Sequence, residues 1–63
     1  MTLTITIKME NSAFEDNQGG EAARILTKLA DRIKDYSFVS EFFKCGLFDL
    51  NGNKVGDALS SDH

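Results

Sequence analysis

The stretch TLTITIKM at residues 2–9 alternates strictly between polar and apolar side chains. In an extended chain successive side chains point to opposite faces, so this alternation separates an apolar face from a polar one. Threonine and isoleucine also suit the pleated, half-buried surface of a sheet. The stretch therefore predicts a strand that packs one face on a core and leaves the other in water. The apolar face consists of Leu3, Ile5, Ile7 and Met9.

Residues 21–36 carry a second pattern, in which apolar side chains recur every three or four positions. That spacing places them on one stripe of a helix, with charged side chains on the opposite side. Asn17 is the predicted N-cap, and Glu21 lies near the positive end of the helix dipole. We therefore expect an amphipathic helix, with a stripe formed by Ala22, Ile25, Leu26, Leu29, Ile33 and Tyr36.

A polar connection at residues 10–20 separates the strand from the helix. Ser12 and Glu15 have the spacing of a capping box, which permits a single helical turn between them. Phe14 is the one large apolar side chain in this connection, and we expect it to plug the end of the core.

An Asn-Gly pair at residues 51–52 lies between two apolar segments and predicts a β-hairpin. Two registers fit the sequence. A two-residue turn sets Asp49 opposite Lys54, whereas a three-residue loop with Gly52 in the left-handed conformation sets Asp49 opposite Asn53. The two-residue turn places an ion pair beside an apolar pair, so it is the favoured register.

The order of elements is strand, helix and hairpin, with the hairpin within residues 45–58. This order predicts an α+β fold, in which one amphipathic helix packs on a three-stranded, mainly antiparallel sheet. A chain of 63 residues has room for one core, so residues 1–63 form a single small domain. Residues 59–63 are polar, and we expect a frayed, flexible tail there. Residues 37–44 fit either a second short helix or an extended link.

The residues that catalytic and metal sites require are scarce. Cys45 is the only cysteine, which excludes an internal disulfide and a cysteine-rich zinc site. His63 is the only histidine and lies in the predicted tail, so no base is expected beside a nucleophile. A calcium-loop pattern that begins at Asp49 fails at Lys54 and Ser60, where glycine and glutamate are needed. We therefore predict no enzymatic activity, no cofactor and no metal.

The net charge of −3 disfavours general binding to nucleic acids. No run of residues approaches the apolar length of a membrane span, and the amino terminus lacks the basic and apolar regions of a secretory signal. A single free thiol fits a reducing compartment. We therefore expect a cytoplasmic protein without a membrane anchor.

Aromatic side chains are concentrated in residues 36–48. One helix on three strands offers a single interior layer, and the adjacent Phe42 and Phe43 cannot both face it if the backbone is regular. At least one ring is therefore expected at the surface, where exposed aromatic groups mark contact sites. The alternative is that both rings wrap the open end of the core. The predicted partner or dimer interface consists of Tyr36, Phe38, Phe42 and Phe43.

Arg24, Lys28 and Arg32 are four residues apart, which places three cations on one face of the helix. Such a face suits contacts with the phosphate groups of a nucleic acid. Asp31 and Asp35 stand three residues after Lys28 and Arg32, so ion pairs along the helix are expected to neutralise part of this face. A solvated charged face is therefore the other interpretation of these residues.

The sequence contains the runs TITIKMEN at residues 4–11, AF at 13–14, EAARIL at 21–26, LADRI at 29–33 and DLNGNKVG at 49–56. Together they resemble a group of very small proteins encoded by bacteriophages and prophages. The resemblance covers most of the chain except residues 36–44, and it carries no functional residues over. It implies a context in which a small acidic phage protein binds and blocks a host protein, including defence nucleases in the manner of anti-CRISPR proteins.

Two functional hypotheses fit these patterns. The first is a non-enzymatic, phage-type protein-binding module in the host cytoplasm, which forms a homodimer or binds and inhibits a host protein. The second is a nucleic-acid-binding accessory protein that uses Arg24, Lys28 and Arg32 to contact phosphate groups.

Overall fold

The computed structural model describes residues 1–38 and 42–62 of the chain. Within them one α-helix packs on a three-stranded antiparallel sheet, which confirms the predicted α+β class and the order of strand, helix and hairpin. The elements are β1 (Thr2–Ile7), a 3-10 turn (Ser12–Phe14), α1 (Gln18–Ile33), β2 (Lys44–Phe48) and β3 (Lys54–Ser61).

The sheet has the strand order β1-β3-β2, so the last strand of the chain lies between the other two. Both outer strands pair antiparallel with β3. The helix thus carries the chain from one edge of the sheet to the other, and the hairpin then fills the space between them. In the described part of the chain, β1 and β2 are therefore edge strands, each with one side that pairs with no other strand.

The expected frayed tail at residues 59–63 is wrong for its first part, because β3 continues to Ser61. Ser61 pairs with Thr2 at the far edge of the sheet. Ser60 is buried, and its hydroxyl oxygen accepts a hydrogen bond from the Phe43 N–H at 2.7 Å. Contacts with β1 on one side and with Phe43 on the other thus hold the end of β3 in an extended conformation.

β1 is two residues shorter than the alternation predicted. Its apolar face is only partly covered, since Leu3 and Ile7 are half-buried and Ile5 between them is exposed. The helix packs more closely on β2 than on β1, which explains the weaker coverage of β1. The buried side chains of the core are Phe14, Ile25, Leu29, Phe43, Cys45, Leu47, Val55 and Ala58.

The helix α1 begins and ends three residues earlier than predicted. Asn17 is the N-cap as expected, and its side-chain oxygen accepts a hydrogen bond from the Gly20 N–H at 3.0 Å. This cap satisfies a backbone donor of the first turn, so the glycines there remain helical. Ile25 and Leu29 are buried on the apolar stripe, whereas Leu26 at its margin is 43% exposed.

The predicted single turn forms at Ser12–Phe14, although Asn11 rather than Ser12 caps it. The Asn11 side-chain oxygen accepts a hydrogen bond from the Ala13 N–H at 3.2 Å. Phe14 is fully buried and the turn contacts the helix, which confirms that this ring plugs the end of the core.

The hairpin uses the three-residue loop, so the favoured two-residue register is wrong. The Asp49 N–H donates to the Asn53 carbonyl oxygen at 2.9 Å, and Gly52 adopts a positive φ of 84°. The Asp49 carboxylate explains the preference, because it is buried and accepts hydrogen bonds from the N–H groups of Asn51 and Asn53 at 2.9 Å each. A two-residue turn would have left this carboxylate to pair with lysine instead.

Beyond the loop the pairing of the two strands shifts by one residue. Lys54 stands opposite Phe48, but Leu47 then stands opposite Gly56, with a bulge between the two pairs. At Gly56 the chain requires glycine, since a Cβ atom there would collide with the carbonyl oxygen of Thr6 on β1.

The choice between a short helix and an extended link at residues 37–44 falls partly on residues 39–41, which lie outside the described residues. The described parts next to them, residues 37–38 and 42–43, are not helical. The Phe43 carbonyl oxygen already accepts a hydrogen bond from the Ser60 N–H at 3.0 Å, so this part continues the direction of β2.

Candidate binding surfaces

Three of the four predicted interface rings form a cluster at one end of the core. The ring centroid of Tyr36 lies 5.0 Å from that of Phe38 and 4.9 Å from that of Phe43, both edge-to-face. The Tyr36 hydroxyl also donates a hydrogen bond to the Phe42 carbonyl oxygen at 2.9 Å. Because Phe43 is only 8% exposed, its ring is part of the core.

Phe42 is the predicted interface residue that the structure leaves most clearly at the surface, with 60% of its area exposed. Phe42 is exposed and Phe43 is buried because successive side chains of an extended backbone point to opposite faces. The expectation that one ring of this pair lies at the surface is therefore confirmed. A role of the four residues in an interface remains a prediction.

No element of the described chain covers the side of the sheet that faces away from α1. Burial alternates along β2, so that Cys45 and Leu47 are buried and Phe48 is exposed. The Phe48 ring lies over Gly46, where a Cβ atom would meet it at 3.3 Å. We call this surface the open sheet face. Its residues are Phe42, Lys44, Phe48, Lys54, Asp57, Leu59 and the threonines Thr2, Thr4 and Thr6.

A groove of about 150 Å³ lies between α1 and β2. Arg24, Lys28 and Arg32 line its helix side, so the structure brings the three predicted cations to one groove. Residues 45–49 line the opposite side. We call this feature the helix–strand groove.

Arg24 closes one end of the helix–strand groove through contacts on both sides. Its Nε and Nη2 atoms donate to the two carboxylate oxygens of Glu21 at 2.9 Å each, and Nη2 also donates to the Phe48 carbonyl oxygen at 3.2 Å. Glu21 accepts a further hydrogen bond from the Leu50 N–H at 2.8 Å. The hydrogen bond from Arg24 outweighs burial and, with that from Leu50, lowers the pKa of Glu21. The first turn of the helix is thereby tied to the hairpin.

Lys28 and Arg32 form no ion pair within 4 Å in the part of the chain that the structure describes, so the expected pairing with Asp31 and Asp35 is wrong. Arg32 turns toward the strand instead, where its Nη1 atom donates to the Cys45 sulfur at 2.9 Å. The two charges therefore remain in the helix–strand groove without a carboxylate of the described residues in contact.

Asp49 is buried at the hairpin end of the groove. Burial alone raises the pKa of this carboxyl group, but hydrogen bonds from Asn53, Asn11 and Asn51 outweigh it, so the pKa of Asp49 is lowered. The shortest of these bonds comes from the Asn11 Nδ2 atom at 2.6 Å. These N–H donors occupy the carboxylate oxygens that a calcium loop would turn toward a cation.

This polar network, made by Asn11, Glu21, Arg24 and Asp49, is the part of the molecule that the sequence patterns do not predict. Glu21 and Arg24 are three residues apart on a helix, a spacing that favours an ion pair. Asp49 and Asn51 are spaced for an Asx turn. No sequence signal connects Asn11 with Asp49, which lie 38 positions apart.

The described residues contain no group of three or more His, Cys, Asp or Glu side chains that could hold a metal ion. His63 lies outside them. None of the helices in the same part of the chain is long and apolar enough to cross a membrane. No protein-family model, curated protein or solved structure matches this chain.

Proposed function

We propose that this chain is a non-enzymatic protein-binding module that docks its open sheet face on another protein. The observation that carries the proposal is the exposure of three large apolar side chains on this face. Phe42 is 60% exposed, Phe48 51% and Leu59 42%. Large apolar side chains exposed on one face of a sheet are candidate contact sites for another protein.

The open sheet face also has the composition of a protein interface, in which aromatic anchors are surrounded by polar side chains. Lys54 and Asp57 form an exposed ion pair on it, with 3.0 Å between Nζ and Oδ1. Lys44 adds a further cation, and the threonines of β1 add hydroxyl donors and acceptors. Mixed charges around aromatic rings favour another protein over a nucleic acid, which calls for a basic surface.

The aromatic cluster supports Phe42 from behind. Tyr36 bonds to the Phe42 carbonyl oxygen, and the next residue, Phe43, is anchored in the core. A backbone that is already held in place loses little freedom when its side chain enters a partner. We therefore assign Phe42 the leading contact role.

The setting that we propose is a phage or prophage, with action in the cytoplasm of the host cell. The resemblance of the runs at residues 4–11 and 49–56 to very small phage proteins supports it. In this setting the chain binds and inhibits a host protein, such as a component of antiviral defence in the manner of anti-CRISPR proteins. The same face serves a homodimer if the partner is a second copy of the chain.

Two matched charge substitutions test the proposal. Phe42→Glu places a carboxylate on the open sheet face, whereas Leu26→Glu places one on an exposed apolar side chain of the helix, which packs on the other side of the sheet. We expect the wild type and Leu26→Glu to associate with a partner or with themselves, and Phe42→Glu to lose at least about tenfold in affinity. Sedimentation velocity measures self-association, and quantitative affinity capture from host lysate measures the partner.

The proposal is wrong if the wild type sediments as a monomer and all three proteins capture the same partners in equal amounts. Circular dichroism of each variant shows whether it is folded, so a loss of binding by unfolding is distinguished from a loss of contact. Phe48→Glu serves as an independent second probe of the same face.

A nucleic-acid-binding accessory protein is the second candidate. It is favoured by the observation that Lys28 and Arg32 pair with no carboxylate in the described residues. Arg24 counts against it, because Glu21 already neutralises this side chain. A gel-shift titration at low salt tests it directly, and no shift at about 10 μM protein, where non-specific binders are usually detected, would rule it out.

A further inference from the structure

We infer that the helix–strand groove binds an extended acidic peptide segment, which adds to β2 as a new edge strand. The peptide backbone forms hydrogen bonds with Lys44 and Gly46, and its carboxylates contact Lys28 and Arg32. The site uses backbone groups at the outer edge of β2 and the cations of α1, whereas the open sheet face uses side chains on the other side of the sheet, so its test does not depend on the proposed function.

The edge of β2 that pairs with no other strand in the described chain supplies the backbone contacts. Phe43 accepts a hydrogen bond from β3, and Asp49 at the other end of the strand donates one to Asn53. In an antiparallel pair the residues between these alternate in direction, so Lys44 and Gly46 turn their peptide groups to the open edge. Backbone groups at such an edge are a template for an added strand.

The contact of Arg24 with Phe48 confirms that the peptide groups of alternate residues in β2 point to the open edge, and it marks one end of the site. Its Nη2 atom reaches the Phe48 carbonyl oxygen from the open side, at 3.2 Å. The Cys45 thiol donates a weak hydrogen bond to the Gly46 carbonyl oxygen at 3.3 Å. Because a carbonyl oxygen has two lone pairs, this atom can still accept a hydrogen bond from the peptide. Arg24 thus covers the edge at Phe48, and the new strand pairs with the part at Lys44 and Gly46.

The spacing of the helix cations matches that of an extended peptide. Lys28 and Arg32 are four residues apart, or about 6 Å along the helix axis. Side chains on one face of a strand are two residues apart, or about 6.6 Å. Acidic residues at alternate positions of the peptide therefore meet successive cations of the helix.

Charge favours an acidic segment in this groove, and the size of the groove disfavours a small ligand. Lys28 and Arg32 have no carboxylate in contact among the described residues, so an acidic segment supplies the missing partner. The groove of about 150 Å³ is smaller than typical pockets for small ligands, which start at about 300 Å³. A nucleic acid would use the cations but not the strand edge, and the chain carries a net charge of −3.

Fluorescence anisotropy with a labelled peptide of alternating glutamate and valine, about eight residues long, tests the inference. We expect saturable binding to the full chain. Lys28→Glu lowers the affinity at least about tenfold, because a like charge then faces the peptide. Lys34→Glu makes the same change of net charge just beyond the helix, outside the lining of the groove, and lowers the affinity no more than about twofold.

Two modified probes separate strand addition from attraction between charges. A peptide with glutamine in place of glutamate keeps the backbone and removes the charge, and a peptide with N-methyl groups at alternate residues keeps the charge and removes the backbone donors. We expect both to bind at least about tenfold more weakly. Slower amide exchange at Gly46 in the complex would report the new hydrogen bond.

Any of three results would overturn the inference. The first is no binding of the acidic peptide. The second is equal affinity for the N-methylated peptide, which means that no strand is added. The third is tight binding of a thymidine oligonucleotide that Lys28→Glu removes while the peptide does not bind, which assigns the cations to phosphate groups instead.

Discussion

The helix joins two ends of the core that are stabilised by different interactions. At one end N–H groups donate hydrogen bonds to buried carboxylates, and at the other end aromatic rings pack together. At the polar end, Glu21 accepts hydrogen bonds from Arg24 and from the backbone of the hairpin. At the aromatic end, Tyr36 and Phe43 pack edge-to-face with 4.9 Å between ring centroids. The polar end thus depends on charge state, and the aromatic end depends on packing.

This difference also separates the two surfaces that we propose for binding. The exposed Phe42 belongs to the aromatic end, because Tyr36 bonds to its backbone while its side chain stays at the surface. The helix–strand groove reaches the polar end, where Arg24 closes it. Substitutions at the two ends should therefore differ in their effect on stability, on pH dependence and on binding.

The largest effect is expected at the aromatic end. Phe43→Ala removes a buried ring from the cluster and lowers the free energy of unfolding by about 3 to 4 kcal/mol. Phe42→Ala, one residue away but exposed, changes it by less than about 0.5 kcal/mol. Urea denaturation of both variants measures the contrast, and equal losses would mean that the two rings do not face opposite sides of the sheet.

At the polar end, Glu21→Gln leaves Arg24 without its ionic partner and weakens the link to Leu50. We expect a melting temperature several degrees lower, a smaller loss than for Phe43→Ala. Asp57→Asn is the matched control, because its ion pair with Lys54 is exposed and contributes little. Calorimetry that gives the same result for both variants would show that the buried network is not what stabilises this end.

The pH dependence of stability distinguishes the two ends directly. The folded state lowers the pKa of both Glu21 and Asp49, so it binds fewer protons than the unfolded chain in acid. Their contribution to stability is complete above the ordinary carboxyl pKa values of about 3.9 to 4.3, and is lost as the pH falls through the folded-state values. Urea midpoints should therefore be level near neutral pH and fall in acid. Glu21→Gln should flatten that fall, whereas Phe43→Leu should lower the whole curve without changing its slope.

A smaller effect is expected at Gly52, in the loop of the polar end. Its φ of 84° lies in the left-handed region, which costs other residues about 1 to 2 kcal/mol. Gly52→Ala should lower the free energy of unfolding by about 1 kcal/mol, and Gly52→Asn by less, since asparagine tolerates this conformation. No difference between the two variants would indicate a loop that changes its turn type.

Local sequence patterns predicted the elements that pack on the core through one apolar face. The alternation of residues 2–9 and the periodicity of residues 21–36 each report a face that packs on one core. The end of β3 gave no such signal, since Ser60 is buried through hydrogen bonds with Phe43 rather than through an apolar side chain. The hairpin register was missed for a similar reason. Side-chain pairs favoured Lys54 opposite Asp49, but backbone donors satisfy the buried carboxylate better.

The candidate surfaces were predicted in part. Spacing alone placed Arg24, Lys28 and Arg32 on one face, but their position opposite β2 depends on the strand order, which no local pattern encodes. The prediction that one of Phe42 and Phe43 is exposed followed from backbone alternation. The contacts of Asn11 with Asp49 required the complete fold, since the two residues are distant in sequence.

The central claim is that the chain acts by binding a protein through the open sheet face. Quantitative mass spectrometry of proteins captured by the wild type, Leu26→Glu and Phe42→Glu, with a differently tagged second copy of the chain co-expressed, tests it most directly. We predict one partner, either a host protein or the second copy, that the first two retain and Phe42→Glu loses at least about tenfold. Equal recovery of every protein by all three, with each variant folded, would contradict the account.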